Sequence, residues 1–178
     1  MEFIKTSIEG LYHINRPLIK DDRGVFTRLF AQDELNNAGI KGKAIHINSS
    51  ANKVKGTLRG IHFQFPPFSE IKIVSCISGS VWDVGVDLRP NSKTRFKWFG
   101  QKLTPENGKS LLIPEGFGHG FITLEENSTL VYVVSAEYKP EYESGARFDD
   151  PLLKIKWPIN PLVVSEKDKN WTDMESRI

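Results

Sequence analysis

The histidine at position 62 lies in the run Gly60-Ile61-His62-Phe63-Gln64, with Arg59 just before it, Lys72 a short way on, and His119 in a later run, Pro114-Glu115-Gly116-Phe117-Gly118-His119. Such a gathering of donors and cations suits an anionic ligand. An imidazole held beside such a ligand can serve as a proton-transfer base, since histidine is the side chain that ordinarily titrates near neutrality. The plainer alternative is a partly buried histidine whose ring nitrogens are satisfied by neighbours. His13 and His46 have no comparable company, and His13 reads as a surface or strand-filling residue.

The elements that must position these groups are short β-branched runs separated by turn residues. Ile71 to Ile77 leads through Ser78-Gly79-Ser80 into Val81 to Leu88, which ends at Arg89-Pro90-Asn91-Ser92. Ser110 to Ile113, Phe121 to Leu124 and Thr129 to Tyr138 follow, with Pro114-Glu115-Gly116 and Glu125 to Ser128 as turns. Only Gln32 to Ala38 reads as a helix, with Gly39 at its stop position. The pattern predicts an all-β sandwich or jelly-roll barrel with few short helices. Period-2 alternation puts Trp82, Val84, Val86 and Leu88 on one face and Asp83, Gly85 and Asp87 on the other. Lys72 falls on the same face as Val74 and Cys76, and Tyr132 on the same face as Leu130 and Val134. From the pattern alone, Lys72 and Asp83 are as readily solvent-facing as turned into a barrel, where charge is costly unless paired or hydrated. Tyr132 by itself reads as a core tyrosine with a tethered hydroxyl.

With 178 residues, 39% of them apolar, the chain suffices for one substantial core and is short for two, so a single domain over 1–178 is expected. A formal charge of +2 argues against a general nucleic-acid binder. The lone Cys76 excludes an intrachain disulfide framework, and no Cys/His zinc cluster is apparent. No run approaches the roughly 18 apolar residues of a membrane span, and the amino terminus lacks a signal-peptide pattern, so a soluble cytoplasmic protein is expected.

The two runs around His62 and His119, with Glu70 and Gly79 between them, resemble the two-part cupin signature. Metal-binding cupins supply His-x-His and a Glu from the first part and a further His from the second. Here Gln64 replaces the second histidine, and an amide oxygen is a weak ligand for iron, nickel or zinc, so no metal is expected. The longer segment Lys55-Gly56-Thr57-Leu58-Arg59-Gly60-Ile61-His62-Phe63-Gln64 is similar to the dTDP-4-dehydrorhamnose 3,5-epimerase family. So are Asp22 to Phe26, Gly79 to Arg89, Ile113 to Phe121, Tyr138 to Glu143, Asp149-Asp150-Pro151, Ile155 to Pro158 and Ser165 to Asp168, in family order. The resemblance implies a cupin-like jelly-roll barrel, a nucleotide-diphosphate sugar substrate, no cofactor and a homodimer. It implies His62 as general base, Asp168 as the carboxylate that orients it, Tyr132 as acid on the opposite face of the sugar and Lys72 beside the developing enolate. It also implies ligand contacts by Arg23, Arg59, His119, Glu143 and Lys167, with Arg23 a candidate for delivery by a partner subunit, and a base-stacking ring at Tyr138.

Two segments depart from the family pattern. Arg28 stands where a ligand-binding glutamate is usual, and His46-Ile47-Asn48-Ser49-Ser50 replaces a segment with a glutamine and an asparagine. A one-residue insertion before Lys55 gives Asn48 the asparagine role and His46 the glutamine position; without it, Ile47 and Ser49 fall there. The insertion is preferred because it keeps a polar Asn. Both departures concern recognition, leaving open a related 4-keto sugar, another nucleotide or inversion at one carbon. Two other classes remain on the residues alone: a metal-dependent cupin using His62, Gln64, Glu70 and His119, and a non-catalytic sugar-binding barrel.

Overall fold

Residues 1–174 are described by a computed structural model, in which the β-branched runs form two facing sheets. In chain order the strands are β1 (Glu2–Lys5), β2 (Tyr12–Asn15), β3 (Ile19–Asp21), β4 (Gly24–Phe26), β5 (His46–Asn52), β6 (Thr57–Gln64) and β7 (Lys72–Ser78). They continue with β8 (Val81–Asp87), β9 (Trp98–Leu103), β10 (Lys109–Ile113), β11 (Phe117–Thr123), β12 (Ser128–Val134), β13 (Glu143–Gly145) and β14 (Val163–Val164). Helix α1 (Gln32–Asn37) lies where its sequence pattern predicts, and a second helix, α2 (Glu166–Lys169), follows β14. One sheet runs β1-β2-β10-β7-β12-β5 and the other β13-β6-β11-β8-β9, with β14 added parallel to β6. The β3–β4 hairpin stands apart from both. Among the described residues no helix is long and apolar enough to cross a membrane.

The main core lies between the sheets. Val74, Cys76, Leu111, Ile113 and Leu130 of the first sheet meet Val81, Leu103, Phe117 and Phe121 of the second. The outer faces are covered as well. Leu35 of α1 packs with Ile14, Ile73, Leu112 and Val133 on the first sheet, and Ala146, Leu153 and Met174 pack on Ile61, Val84 and Val86 of the second. Covering on both sides corrects the solvent-facing reading of the polar face of β8: Asp83 and Asp87 are buried completely, on the face that looks into the barrel. Lys72 also points inward, sharing a cross-strand row with Val134 and Ile113. His13 is no surface residue; it pairs with Leu111 on the inner row and its ring lies 6.4 Å from that of Phe99.

Two strand boundaries differ from the pattern. β11 begins at Phe117, directly after the Pro114-Glu115-Gly116 turn, because Phe117 to Gly120 pair with β8 despite their glycines. β12 ends at Val134, four residues before Tyr138, which lies in the irregular segment leading to a 3₁₀ turn at Pro140–Tyr142. The amino-terminal segment splits into β1 and β2, which pair with each other, and β2 pairs in turn with β10 of the same sheet, leaving β1 at the edge.

One contact brings the two histidine-bearing strands together. Gly60 of β6 has φ +111°, and a Cβ there would lie 2.5 Å from the His119 carbonyl oxygen and 2.6 Å from Gly120 Cα. Only glycine tolerates both the backbone angle and the approach. The pairing that follows places His62 directly opposite His119. Gly60→Ala is expected to lower unfolding free energy by about 2 kcal/mol or more, read by urea denaturation, since left-handed strain and a backbone clash add.

Candidate active site

The barrel opens into a cleft of two adjoining lobes, of about 360 Å³ and about 440 Å³, which share His62, Lys72 and Tyr132. His62 comes from β6 of one sheet; Lys72 and Tyr132 come from β7 and β12 of the other. Imidazole and phenol therefore stand on opposite walls. Sheet register fixes which residues join them. Across β5, β12 and β7, Asn48, Tyr132 and Val74 form one row, and His46, Val134 and Lys72 the next. Directly opposite residues share a face, so His46 and Asn48 point into the cleft, while Ile47 is 67% exposed on the outside. Of the residues the two alignments offer, His46 and Asn48 line the first lobe and Ser49 lies at the second.

His62 Nε2 lies 2.6 Å from Asp168 Oδ1. Asp168 is delivered by α2, which begins at Ser165, whose Oγ accepts the Asp168 N–H at 3.1 Å. Its second oxygen accepts the Gly60 N–H at 3.2 Å. Burial pushes the Asp168 carboxyl upward, but the His62 hydrogen bond and charge, the Gly60 amide and Ser165 together hold it below its ordinary value. With Nε2 committed to the carboxylate, Nδ1 is the nitrogen left to take a proton. Tyr132 is half-buried, and its phenol is raised above its ordinary pKa by that burial, opposed by the Arg59 charge and reinforced by Glu70.

Lys72 Nζ is 3.0 Å from Glu70 Oε1, and both side chains are nearly enclosed. His119 Nε2 lies 2.8 Å from the buried Asp83 Oδ1. Arg59 Nε donates to Asn52 Oδ1 at 2.9 Å, which aims the guanidinium along the second lobe. At the rim of the first lobe, Tyr138 Oη and Lys167 Nζ both donate to Glu143 Oε2, at 2.7 and 2.6 Å. Burial would raise the Glu143 carboxyl, but these two bonds and the nearby His62 hold it below the usual range.

The cleft thus collects His62, Tyr132, Asp168, Lys72, Asn48, Arg59, His119, Tyr138, Glu143 and Lys167. It does not collect Arg23, whose side chain is 90% exposed in the turn of the β3–β4 hairpin and paired with Asp21 at 2.6 Å. Arg28 is also elsewhere, 3.3 Å from Glu34 of α1. Sequence reasoning missed Asp83 as the partner of His119, although the placement of Asp83 with Asp87 on one face of an otherwise apolar strand was a signal. It also missed Asn52, whose position carries no pattern, and the capping role of Ser165, for which the spacing Ser165-x-x-Asp168 was a signal.

The residues of the metal-site reading are otherwise engaged. The Gln64 amide donates to the Phe68 and Glu137 carbonyls at 3.0 and 3.1 Å and accepts the Lys139 N–H at 2.7 Å, and both histidines are turned to carboxylates. Among the described residues no group of three or more His, Cys, Asp or Glu is arranged to hold a metal ion.

A cupin-like barrel with a histidine–carboxylate pair facing a phenol across a cleft defines an acid–base isomerase. The family model for dTDP-4-dehydrorhamnose 3,5-epimerase matches residues 5–176, and the chain belongs to that family. It is 41% identical over 172 residues to a dTDP-4-dehydrorhamnose 3,5-epimerase of Methanothermobacter thermautotrophicus, covering 95% of this chain and 92% of that one. A Legionella pneumophila 3,5-epimerase, solved in complex with dTDP-4-keto-L-rhamnose, superposes with a TM-score of 0.89 at 36% identity, covering 94% and 89% of the two chains. A dTDP-4-dehydrorhamnose 3-epimerase of Streptomyces niveus is 37% identical over 164 residues, covering 92% and 79%.

Because the Asp168 carboxyl is depressed in the fold, its stabilisation is complete above its unfolded pKa near 3.9 and is lost as pH falls through the lower folded value. Asp168→Asn is therefore expected to melt below the parent at pH 7, with the gap closing below about pH 4, as followed by thermal unfolding across pH.

Proposed function

We propose that this enzyme inverts C3 and C5 of dTDP-4-dehydro-6-deoxyglucose to give dTDP-4-dehydro-L-rhamnose, with His62 and Tyr132 exchanging protons on opposite faces of the sugar. The observation that carries this reading is the placement of the His62–Asp168 pair and the Tyr132 phenol on opposite walls of one cleft. The C4 ketone acidifies the hydrogens on C3 and C5. His62 Nδ1 takes one of them, and Asp168 stabilises the imidazolium that forms. Electron density moves onto O4, where the Lys72 ammonium stabilises the enolate. Tyr132, kept protonated by its burial, returns a proton from the other side and so inverts the carbon.

Arg59 and His119 in the second lobe supply cationic and hydrogen-bonding groups for the diphosphate, and Asn48, Glu143, Lys167 and Tyr138 serve the remaining groups of the ligand, with the Tyr138 ring, 59% exposed, available to stack on the base. The whole chain, 1–178, acts as one cupin-like unit and pairs with a second copy. Ile19, Val25 and Phe26, each more than half exposed, flank Arg23 on the β3–β4 hairpin, an apolar strip beside an exposed guanidinium, paired within the hairpin to Asp21, that suits the cleft of a partner. The buried free thiol of Cys76 fits a reducing, cytoplasmic setting.

A single-site epimerase is the second reading, favoured by His46 at the cleft wall and by the resemblance to the Streptomyces niveus 3-epimerase. Proton NMR in deuterated water with dTDP-4-keto-6-deoxyglucose, following C3 and C5 separately, distinguishes the two. Loss of both signals with appearance of the L-lyxo product is expected; loss of one identifies the single-site enzyme, and loss of neither overturns the substrate. His62→Ala is expected to reduce exchange by roughly 100- to 10,000-fold, whereas Tyr132→Phe retains exchange at the base-facing step and blocks inversion.

A further inference from the structure

Glu70 has no part in the acid–base scheme, yet its carboxylate is nearly enclosed at the wall of the cleft, 3.0 Å from Lys72 Nζ. Gln64, fixed by three backbone groups, lies 3.5 Å from its other oxygen. Lys72 is one of the few residues common to both lobes, so whatever fixes its ammonium fixes a charge at the point where they meet. An unpaired lysine has a long flexible stem and would not hold one position. Gln64 and Glu70 occupy places in the sequence where the cupin pattern provides metal ligands, and here the cation held between them and the cleft is the ammonium.

We propose that Glu70 is a positioning residue for the epimerase reaction, anchoring the Lys72 ammonium through one N–H so that its remaining hydrogens are directed at the substrate oxygen that gains charge. An ammonium has three donors and can keep the anchor while bonding substrate. The anchored charge is in place before the enolate forms, so no reorganisation is needed when the charge develops. Glu70 also faces Tyr132, whose phenol it raises, so its removal has a second readout. The other titratable or charged groups that line the two lobes with that phenol are Arg59 and His62 from β6, Lys72 from β7, His119 from β11, His46 from β5, and Tyr138 and Glu143; the β5 residue directly opposite Tyr132 is the neutral Asn48.

This inference rests on the epimerase reading, and solvent exchange by the unaltered enzyme tests that reading separately. Given an exchanging parent, Glu70→Gln is expected to lower kcat roughly 10- to 100-fold with KM within about threefold, less than the roughly 100- to 1,000-fold that removal of a preorganised donor costs, because Lys72 itself remains. The high-pH limb of kcat is expected to move to lower pH, because the phenol loses the carboxylate that favoured its protonated form. Glu70→Asp, one methylene shorter, retains the charge and keeps the limb near the parent position while still losing kcat through the lost reach. Thermal unfolding separates these effects from loss of fold. An exchanging parent with a Glu70→Gln variant of kcat within twofold and an unmoved high-pH limb overturns the proposal, as does a fall in kcat accounted for by the unfolded fraction in both variants.

Discussion

The short hydrogen bond between His62 and Asp168 joins residues 106 positions apart and makes the cleft depend on the carboxy-terminal end of the chain. α2 has only four residues and would not persist alone; Ser165 caps it, and Asp168 ties it to both the imidazole and the Gly60 amide. The same Gly60 allows β6 to approach β11 closely enough to set His62 beside His119. One glycine thus serves the strand pairing through its missing side chain and the carboxylate through its N–H. The geometry around the proposed base is fixed by the backbone as much as by side chains.

Charge inside the barrel is managed in pairs. Asp168 faces His62, Asp83 faces His119, Glu70 faces Lys72 and Glu143 faces Lys167. The first three pairs offset the desolvation that a lone ion would suffer between two sheets, while the fourth stands at the rim with Lys167 half exposed. Pairing also leaves a cleft that is polar without a large net charge, into which a dianionic ligand can bring its own field. Arg59 is the exception, held by a neutral asparagine and so retaining its full charge for a ligand.

Much of this was legible in the chain. β-branched runs and turns marked β7, β8, β10 and α1 closely, because local propensity and burial agree there. The inward lysine was visible as a period-2 anomaly among Val74 and Cys76, but its direction was not, since an alternating strand looks the same whether one face or both are covered. That ambiguity also hid Asp83, because the segments that bury the outer face of β8 come from residues 146 to 174, far along the sequence. By its alternation Tyr132 reads as an ordinary core tyrosine, and only the family resemblance singled it out; register then places it in a row with Asn48 on the cleft wall. Register also shows which residues of the 46–50 segment face the cleft, which composition could not. Arg23 shows the opposite limit: its motif is plain in the chain, but within one subunit the hairpin carries it away from the cleft.

Among the described residues β5 pairs with β12 on one side and with no strand on the other. Its inward side chains line the cleft, whereas the proposed proton-transfer groups His62 and Tyr132 sit on strands flanked on both sides. An exchange at position 46 or 48 therefore disturbs few packing partners, while a change on β6 or β12 disturbs two neighbours at once. The barrel separates what can drift from what cannot, and lineages diverging in sugar or nucleotide preference could accumulate their differences along this outer strand while inheriting the chemistry intact.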